Sequence, residues 1–431
     1  MRSFSTRLLV PLLAIFMVSG CGPEPSEIAG EPPLPVGFWH AGITLPGGEI
    51  DAGIEISRKD ERYSASLING PERVVIREVS YKDGLLLLRF PAFNSEIRAR
   101  IVNGKLVGEL ILVKSKGATQ SMPFVATAGA QRSDPASGSS VHDLSGRWAV
   151  QFHEADGSNT ASVGEFSQRG SRLFGTFLNA SGDYRYLTGF VRNNSFNLST
   201  FDGAHAFLFS GTIDGNKITN ADFWSGTSWH QTWSAARNTN AKLPDPYQLT
   251  HLKPGYERFE FAFPDLDGKT VSLDNERFAG KVVVVTLAGS WCPNSHDEAR
   301  FMAPLYEKYR SKGLEVVALM YEHFDDPTLA GEQVTLFREK FNIAYTTLIA
   351  GTSSKSEAAE TLPSLDAVHA FPTTIFIDRS GRVRKIHTGF SGPGTGEHYK
   401  VLTTEMTSLI ETLLAEPAKP SSTTAAIKPG A

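Results

Sequence analysis

The sequence predicts a multidomain protein in which two antiparallel all-β units, small barrels or sandwiches, precede an α/β domain. The chain has 431 residues, a length typical of two or three domains. Short runs of alternating apolar and polar residues fill positions 37–238, separated by Asn-Gly and Asp-Gly pairs that are typical of tight hairpins. After position 246, continuous apolar runs alternate with amphipathic stretches, which indicates buried strands and helices.

The β-rich half contains an internal repeat. The Gly-x-Trp sequence that ends at Trp39 returns at Trp148, and the apolar-apolar-Asn sequence at 67–69 returns at 177–179. The two spacings, 109 and 110 residues, agree closely enough to indicate a duplication. Two similar β units, each able to close a small barrel or sandwich, are therefore expected. Their role is open between a ligand-binding or partner-binding surface and a spacer.

Composition shifts give the predicted organisation of the chain. Proline-rich and serine-rich stretches predict a tether and a linker. The predicted segments are a signal peptide at 1–20, a tether at 21–36, β units at 37–128 and 144–240 with a linker at 129–143, the α/β domain at 256–416, and a disordered tail at 417–431.

The N-terminus explains the first of the two cysteines. Arg2 and Arg7 precede an apolar run at 8–18, which is too short to cross a bilayer and is typical of a secretory signal. The small residues that follow, ending at Cys21, resemble a bacterial lipoprotein lipobox. That resemblance implies a lipid on the Cys21 sulfur and a membrane anchor on the periplasmic side of the cell envelope. Gly22, where an aspartate would favour the inner membrane, favours the outer membrane.

Charge and histidine spacing exclude several partners. The net charge is −4, with 42 Lys and Arg against 46 Asp and Glu, so no positive field attracts the chain to nucleic acid. The histidines of the β-rich half are scattered without the spacing of metal ligands, and we expect neither a metal nor another cofactor.

The α/β domain is predicted to be a central sheet with helices on both faces. Its expected strands are at 281–287, 314–320 and 345–349, with a hairpin at 373–378 and 382–387. Its expected helices are at 293–312, 331–341 and 397–415.

The second cysteine, Cys292, falls directly between the first of these strands and the first helix. Trp291 precedes it, Ser295 follows three residues later, and a Phe-Pro-Thr-Thr sequence places Pro372 ahead of a later strand. This combination resembles the TlpA-like thiol-disulfide oxidoreductases of the thioredoxin superfamily over residues 256–416. The resemblance implies a thioredoxin fold, Pro372 as the cis-proline beside the active site, and protein or small-molecule thiols and disulfides as partners. It also implies that Glu322 is an acid near the cysteine that assists proton transfer.

The chemistry of Cys292 is also expected from its position. A cysteine in the first turn of a helix faces unpaired N–H groups and the positive end of the helix dipole, so we expect a lowered thiol pKa and a nucleophilic thiolate. His296 lies one turn further and could pair with the thiolate, although an exposed helix histidine is the commoner arrangement. Trp291 is expected to shape the turn.

Ser295 is the main departure from the family. Family members carry a second cysteine there, whereas a serine hydroxyl can bond a thiolate but cannot resolve a mixed disulfide. The sequence holds no cysteine besides Cys21 and Cys292, so a dithiol cycle within the chain is excluded and an external reductant thiol is required.

Three functions from different classes follow. The leading one is monothiol thiol-disulfide exchange through Cys292. The second is a redox-inactive thioredoxin-fold binding module. A one-cysteine peroxidase is less favoured, because Val285 and Gly289 stand where peroxiredoxins place proline and threonine.

Overall fold

The computed structural model describes residues 33–129 and 142–417. The predicted signal peptide and Cys21 lie outside the described residues, as do most of the tether, the linker and the tail. Within the described ranges the chain is mostly β, with barrel-like sheets followed by an α/β domain. No helix of that part is long and apolar enough to span a membrane.

The first sheet has nine antiparallel strands, in the order β4-β3-β2-β1-β9-β8-β7-β6-β5, with β4 and β5 at its edges. Positive φ angles at Asp83-Gly84 and Asn103-Gly104 form two of its tight turns. The strands are β1 Gly37–Leu45, β2 Gly48–Lys59, β3 Arg62–Asn69, β4 Glu72–Ile76, β5 Glu78–Lys82, β6 Leu85–Phe90, β7 Ser95–Val102, β8 Lys105–Val113 and β9 Thr119–Ala128.

The second sheet also has nine antiparallel strands, and it closes into a barrel because β11 pairs with β12. Its interior is filled by aromatic side chains, with Phe177 and Phe209 stacked 4.4 Å apart at the centre. The strands are β10 Gly146–His153, β11 Asn159–Arg169, β12 Arg172–Asn179, β13 Gly182–Asp183, β14 Leu187–Arg192, β15 Ser195–Phe201, β16 Ala206–Asp214, β17 Lys217–Ser225 and β18 Trp229–Arg237.

The two sheets repeat one plan, as the sequence spacing indicates. Each has nine strands, and in each the first strand lies between the second and the ninth. The indole N–H of Trp39 donates to the carbonyl of Pro35, and that of Trp148 donates to the carbonyl of Leu144, four residues back in both cases.

The α/β domain is built on a five-stranded sheet with the order β23-β22-β21-β24-β25. Strands β21 to β23 are parallel, and β24 and β25 are antiparallel to their neighbours. A small hairpin, β19 Ala262–Pro264 and β20 Thr270–Ser272, precedes this sheet. Its elements are β21 Val282–Ala288, α1 Pro293–Tyr309, β22 Leu314–Glu322, α2 Pro327–Phe341, β23 Thr346–Thr352, α3 Lys355–Thr361, β24 Thr373–Ile377, β25 Val383–Thr388 and α4 Glu397–Ala415.

Burial on both faces explains why the strands of this sheet stand in the sequence as continuous apolar runs. All seven residues of β21 are buried, because each face carries a hydrophobic cluster. Helices α1, α2 and α4 pack on one face through Met302, Phe337 and Met406, while α3 packs on the other through Ala358. The predicted strands, the hairpin and three of the helices are confirmed, and α3 is an element that the sequence analysis missed.

Candidate functional site

Cys292 is the residue from which α1 begins. It occupies the N-cap position with extended φ and ψ, and Pro293 takes the first helical position, where a missing N–H costs nothing. The buried strand β21 ends four residues earlier, so the turn between sheet and helix holds the thiol at the carboxyl end of the sheet. The structure thus places Cys292 where the strand and helix pattern predicted it.

The environment of the thiol differs from the expectation in one respect. The residue is 7% exposed, and burial raises the pKa of the Cys292 thiol. Hydrogen bonds from the Ser295 and Asn294 backbone and from the Ser295 hydroxyl lower that pKa in part. The predicted lowering of the pKa is therefore wrong for this conformation, because loss of solvent outweighs the favourable end of the helix.

The thiol is held against the segment that precedes β24. Its sulfur donates to the carbonyl oxygen of Phe371, 3.3 Å away. The next peptide bond, between Phe371 and Pro372, is cis, and Pro372 is buried. The structure thus brings Cys292 and the predicted cis-proline segment together.

Trp291 and Ser295, which flank Cys292 in the sequence, stabilise the turn that carries the thiol. The Trp291 indole N–H donates to the Tyr321 carbonyl at 2.8 Å, and its ring stacks on His323 with centroids 4.7 Å apart. The Ser295 side chain is buried, and its hydroxyl accepts from the Gly289 N–H at 3.4 Å.

Glu322 lies at the end of β22, beside the same turn. Its carboxyl group accepts from the backbone N–H of Ser290 at 3.0 Å and from the Ser290 hydroxyl at 2.5 Å. Burial raises the pKa of Glu322 to about 7, and the hydrogen bonds from Ser290 oppose the shift. Glu322 therefore holds the turn at Ser290, two residues before Cys292, and is linked to the thiol through that turn.

A second buried carboxyl group, Glu298, was missed by the sequence analysis. It lies on the inner face of α1 and accepts hydrogen bonds from the hydroxyls of Thr286 on β21 and Thr374 on β24. Burial raises the pKa of Glu298 to about 7. The available signal was an acid at a position three residues after Ser295 and four before Met302, within the helical stripe that faces the sheet.

His296 is buried, contrary to the exposed position that was favoured for it. Its Nε2 atom donates to the Ser290 carbonyl at 2.5 Å, and its Nδ1 atom accepts from the Lys340 ammonium at 3.2 Å. Its ring stacks on Phe93 of the first β region, with centroids 4.3 Å apart. The ring is therefore occupied by these three contacts, and its nitrogens do not bond the thiol.

Both β regions contact the start of α1 through one buried cation, Arg185. The Arg185 guanidinium, in the loop after β13, forms ion pairs with Asp297 of α1 and with Glu72 of β4. Although burial opposes the charge, these carboxylates raise the pKa of Arg185. Asp297 also accepts from the half-exposed Arg300 at 2.8 Å.

The second sheet also contacts the motif itself. The Asn294 side-chain amide lies 3.4 Å from the carbonyls of Ser181 and Asp183. Gly182 lies between them at φ +133°, and a Cβ there would collide with the Asn294 amide nitrogen. A glycine is thus required for this close approach. Through it, β13 contacts Asn294, the residue two positions after Cys292.

The described residues 33–129 and 142–417 contain no group of three or more His, Cys, Asp and Glu side chains that could hold a metal ion. The chemistry that this part of the chain offers at the site is that of one sulfur, two buried carboxyl groups and the surrounding hydroxyls.

A parallel and antiparallel five-stranded sheet, a cysteine at the start of its first helix and a facing cis-proline define the thioredoxin class of fold. Residues 253–402 match the family model described as Redoxin. Among curated proteins, the chain is 30% identical over 142 residues to the thiol-disulfide oxidoreductase ResA of Geobacillus thermodenitrificans, covering 33% of this chain and 73% of that protein. It is 33% identical over 135 residues to ResA of a Bacillus cereus strain, covering 31% of this chain and 68% of that protein.

Among solved structures, a thiol:disulfide interchange protein of the thioredoxin family from Chlorobium tepidum TLS is 19% identical, with a TM-score of 0.29. The match covers 37% of this chain and 96% of that one. On the family model and the curated relatives, the chain belongs to the redoxin family of thioredoxin-fold proteins.

Arg185→Met should destabilise the folded chain by about 3–5 kcal/mol, because it leaves Asp297 and Glu72 buried without their shared cation. The matched control is Arg300→Met, which removes an exposed partner of the same Asp297 and should cost less than about 1 kcal/mol. Urea unfolding followed by tryptophan fluorescence gives both values. Equal losses in the two variants would contradict the central position assigned to Arg185.

Glu322→Gln should flatten the dependence of stability on pH. The unfolded chain ionises this carboxyl near pH 4.5, whereas the folded chain keeps its proton up to about pH 7. Stability therefore falls as pH rises from 4.5 to 7, by up to about 3 kcal/mol from this residue, and is level above that range. A glutamine keeps hydrogen bonds to Ser290 without the ionisation.

The measurement is the urea midpoint at pH 5 and at pH 7.5 in the wild type and the variant. Glu332→Gln, an exposed change on α2, is the control and should leave the wild-type slope in place. An unchanged slope in Glu322→Gln would show that the carboxyl is already ionised at pH 5.

Proposed function

We propose that this protein is a monothiol thiol-disulfide oxidoreductase in which Cys292 is the attacking group. The observation that carries the proposal is the position of the Cys292 sulfur at the start of α1, 3.3 Å from the Phe371 carbonyl and beside the cis-proline segment. The curated relatives named as thiol-disulfide oxidoreductases support the same reaction class.

The proposed exchange needs two steps. The Cys292 thiolate attacks one sulfur of a substrate disulfide, a new S–S bond forms to Cys292, and the other substrate sulfur leaves as a thiolate that takes up a proton. An external thiolate then attacks the mixed disulfide, restores Cys292 and carries away the bound half of the substrate as a new disulfide. Ser295 stabilises the thiolate by its hydrogen bonds and does not enter the electron balance.

Burial of the thiol bears directly on the rate of the first step. A buried Cys292 with a raised pKa is mostly protonated at neutral pH, so the attacking thiolate is a minor species. Glu322, which bonds Ser290 two residues before Cys292, and Glu298, which lies six residues after it on α1, both have pKa values near 7 and are the proposed proton acceptors.

The same burial favours a second candidate, a redox-inactive binding module. A thiol that is 7% exposed and lacks a resolving partner at position 295 is also what a thioredoxin fold retained as a scaffold would show. In that case the β regions would be the working surface and Cys292 a structural residue.

We further propose that Cys21 carries a lipid that anchors the chain on the periplasmic side of the cell envelope. The support is the signal-like sequence that ends at Cys21 and the proline-rich stretch that follows it. Cys21→Ala should release the protein from the membrane fraction and abolish incorporation of labelled palmitate. Palmitate incorporation that persists in this variant would refute the anchor, while Cys292→Ala serves as the control that keeps it.

The stoichiometry of thiolate release separates the two candidate functions. The probe is an aromatic disulfide whose leaving thiolate absorbs visible light, and Cys21 is replaced by serine so that one thiol remains in the chain. The monothiol mechanism predicts one thiolate released per chain and a stable adduct on Cys292. Ser295→Cys should release a second thiolate as the new cysteine resolves the adduct.

Ser295→Ala is the matched control, and it should release one thiolate like the parent chain. Cys292→Ser should release none. If the parent chain releases none at pH 7 to 9 while folded, the oxidoreductase proposal fails and the binding module is supported.

A further inference from the structure

The two β regions differ at one equivalent place. In the second barrel, the first half of β12 pairs with β14 and its end pairs with the two-residue β13, so the wall is closed. In the first region, β3 pairs along residues 65–69 with the longer β4. Among the described strands, β3 has no ladder with β5, so β4 and β5 each leave one edge unpaired.

A cleft of about 900 Å³ opens at this gap. Its lining includes the five consecutive residues 71–75. Neighbouring side chains of a strand point to opposite faces of the sheet, so a cleft that contacts all of them lies along the edge of β4. Its other walls include Phe90 of β6, Phe341 of α2 and Pro293, the residue next to Cys292. The unpaired edge therefore runs toward the start of α1.

The edge presents backbone groups that no other described strand pairs with. Counting from the closing pair Asn69 and Glu72 of the β3–β4 hairpin, alternation turns the N–H and C=O groups of Arg73 and Val75 away from β3. Val75 is also 62% exposed, the highest value among the exposed large apolar side chains of the described residues. Both features are what an added strand would cover.

The cleft also offers one cationic group that has no ion-pair partner among the described residues. Lys340 contacts His296 and the face of Phe93, and within the described residues no carboxylate lies at ion-pair distance from it. Arg300 lines the same cleft and is half-exposed, and its ion pair there is with Asp297. A carboxylate brought in by a ligand would find its partner here.

We propose that the cleft binds an extended, acidic, cysteine-containing polypeptide segment, which adds as a strand to the edge of β4 and thereby presents its sulfur near Cys292. This substrate class rests on the proposed thiol-disulfide exchange. The main-chain bonds of β4 give affinity in this arrangement, and Lys340 selects for an acidic side chain.

Val75→Pro tests the proposal, because proline removes an edge N–H that β3 does not use and its ring blocks an added strand. The probe is a short peptide of alternating valine and glutamate with a central cysteine, carried as a mixed disulfide with the coloured aromatic thiol. We expect Val75→Pro to slow thiolate release from this peptide by about tenfold or more. Val75→Thr, which keeps the edge N–H, should react like the wild type.

The small aromatic disulfide is the internal control. It should react equally with the wild type, Val75→Pro and Val75→Thr, which also shows that the variants are folded. If the wild type reacts with neither probe, the proposed function fails; if it reacts with both and Val75→Pro leaves the peptide rate unchanged, the β4 edge is refuted as the binding site.

A second measurement does not depend on folding of the variant. The same peptide with N-methyl groups on alternate residues, in the register that faces β4, should react about tenfold more slowly with the wild type. A peptide with glutamine in place of glutamate should also react more slowly, with a weaker dependence on salt. Equal rates for the methylated and unmethylated peptides would refute strand addition, and equal rates for glutamine and glutamate would refute the acidic preference.

Discussion

The ion pairs of Arg185 are the interaction on which the arrangement of the site depends. One guanidinium joins the loop after β13, the edge strand β4 and the start of α1, which are distant in sequence. Burying two carboxylates costs free energy, and their ion pairs with Arg185 offset that cost only when all three side chains are present. Asp297 thereby connects the geometry around Cys292 to both β regions, which contact the start of α1.

Enclosure also sets the chemistry of the single sulfur. A helix start favours a thiolate, but the benefit depends on access to solvent, and at 7% exposure Cys292 remains a neutral thiol that donates to the Phe371 carbonyl. The pKa values of the buried carboxyl groups of Glu298 and Glu322 are raised to about 7 for the same reason, so each group is only partly ionised at neutral pH. The thiol itself is therefore neutral in the described site. The ion pairs nearby are those of the Arg185 cluster, which meets α1 at Asp297, about one turn after Cys292.

The sequence was sufficient for features that depend on local pattern. Continuous apolar runs identified β21 and β22, and the strand-to-helix transition located Cys292. Short α3 was missed because seven residues give little periodicity. Glu298 was missed because its place in the helical stripe does not by itself reveal its partners, Thr286 and Thr374, which lie on two other strands. The raised thiol pKa, buried His296 and the contact of Gly182 with Asn294 all arise from segments that are distant in sequence, which no window along the chain can bring together.

The gap in the first β region has a further consequence for behaviour at high concentration. Two copies of this protein could join their β4 edges, since an unpaired strand is the usual starting point for unwanted self-assembly. Arg73 of the strand, Arg300 and Lys340 all line the cleft, so a second copy of this edge would add cationic side chains to a cleft that already holds several. The cationic rim of the cleft therefore disfavours the pairing of two copies through this edge.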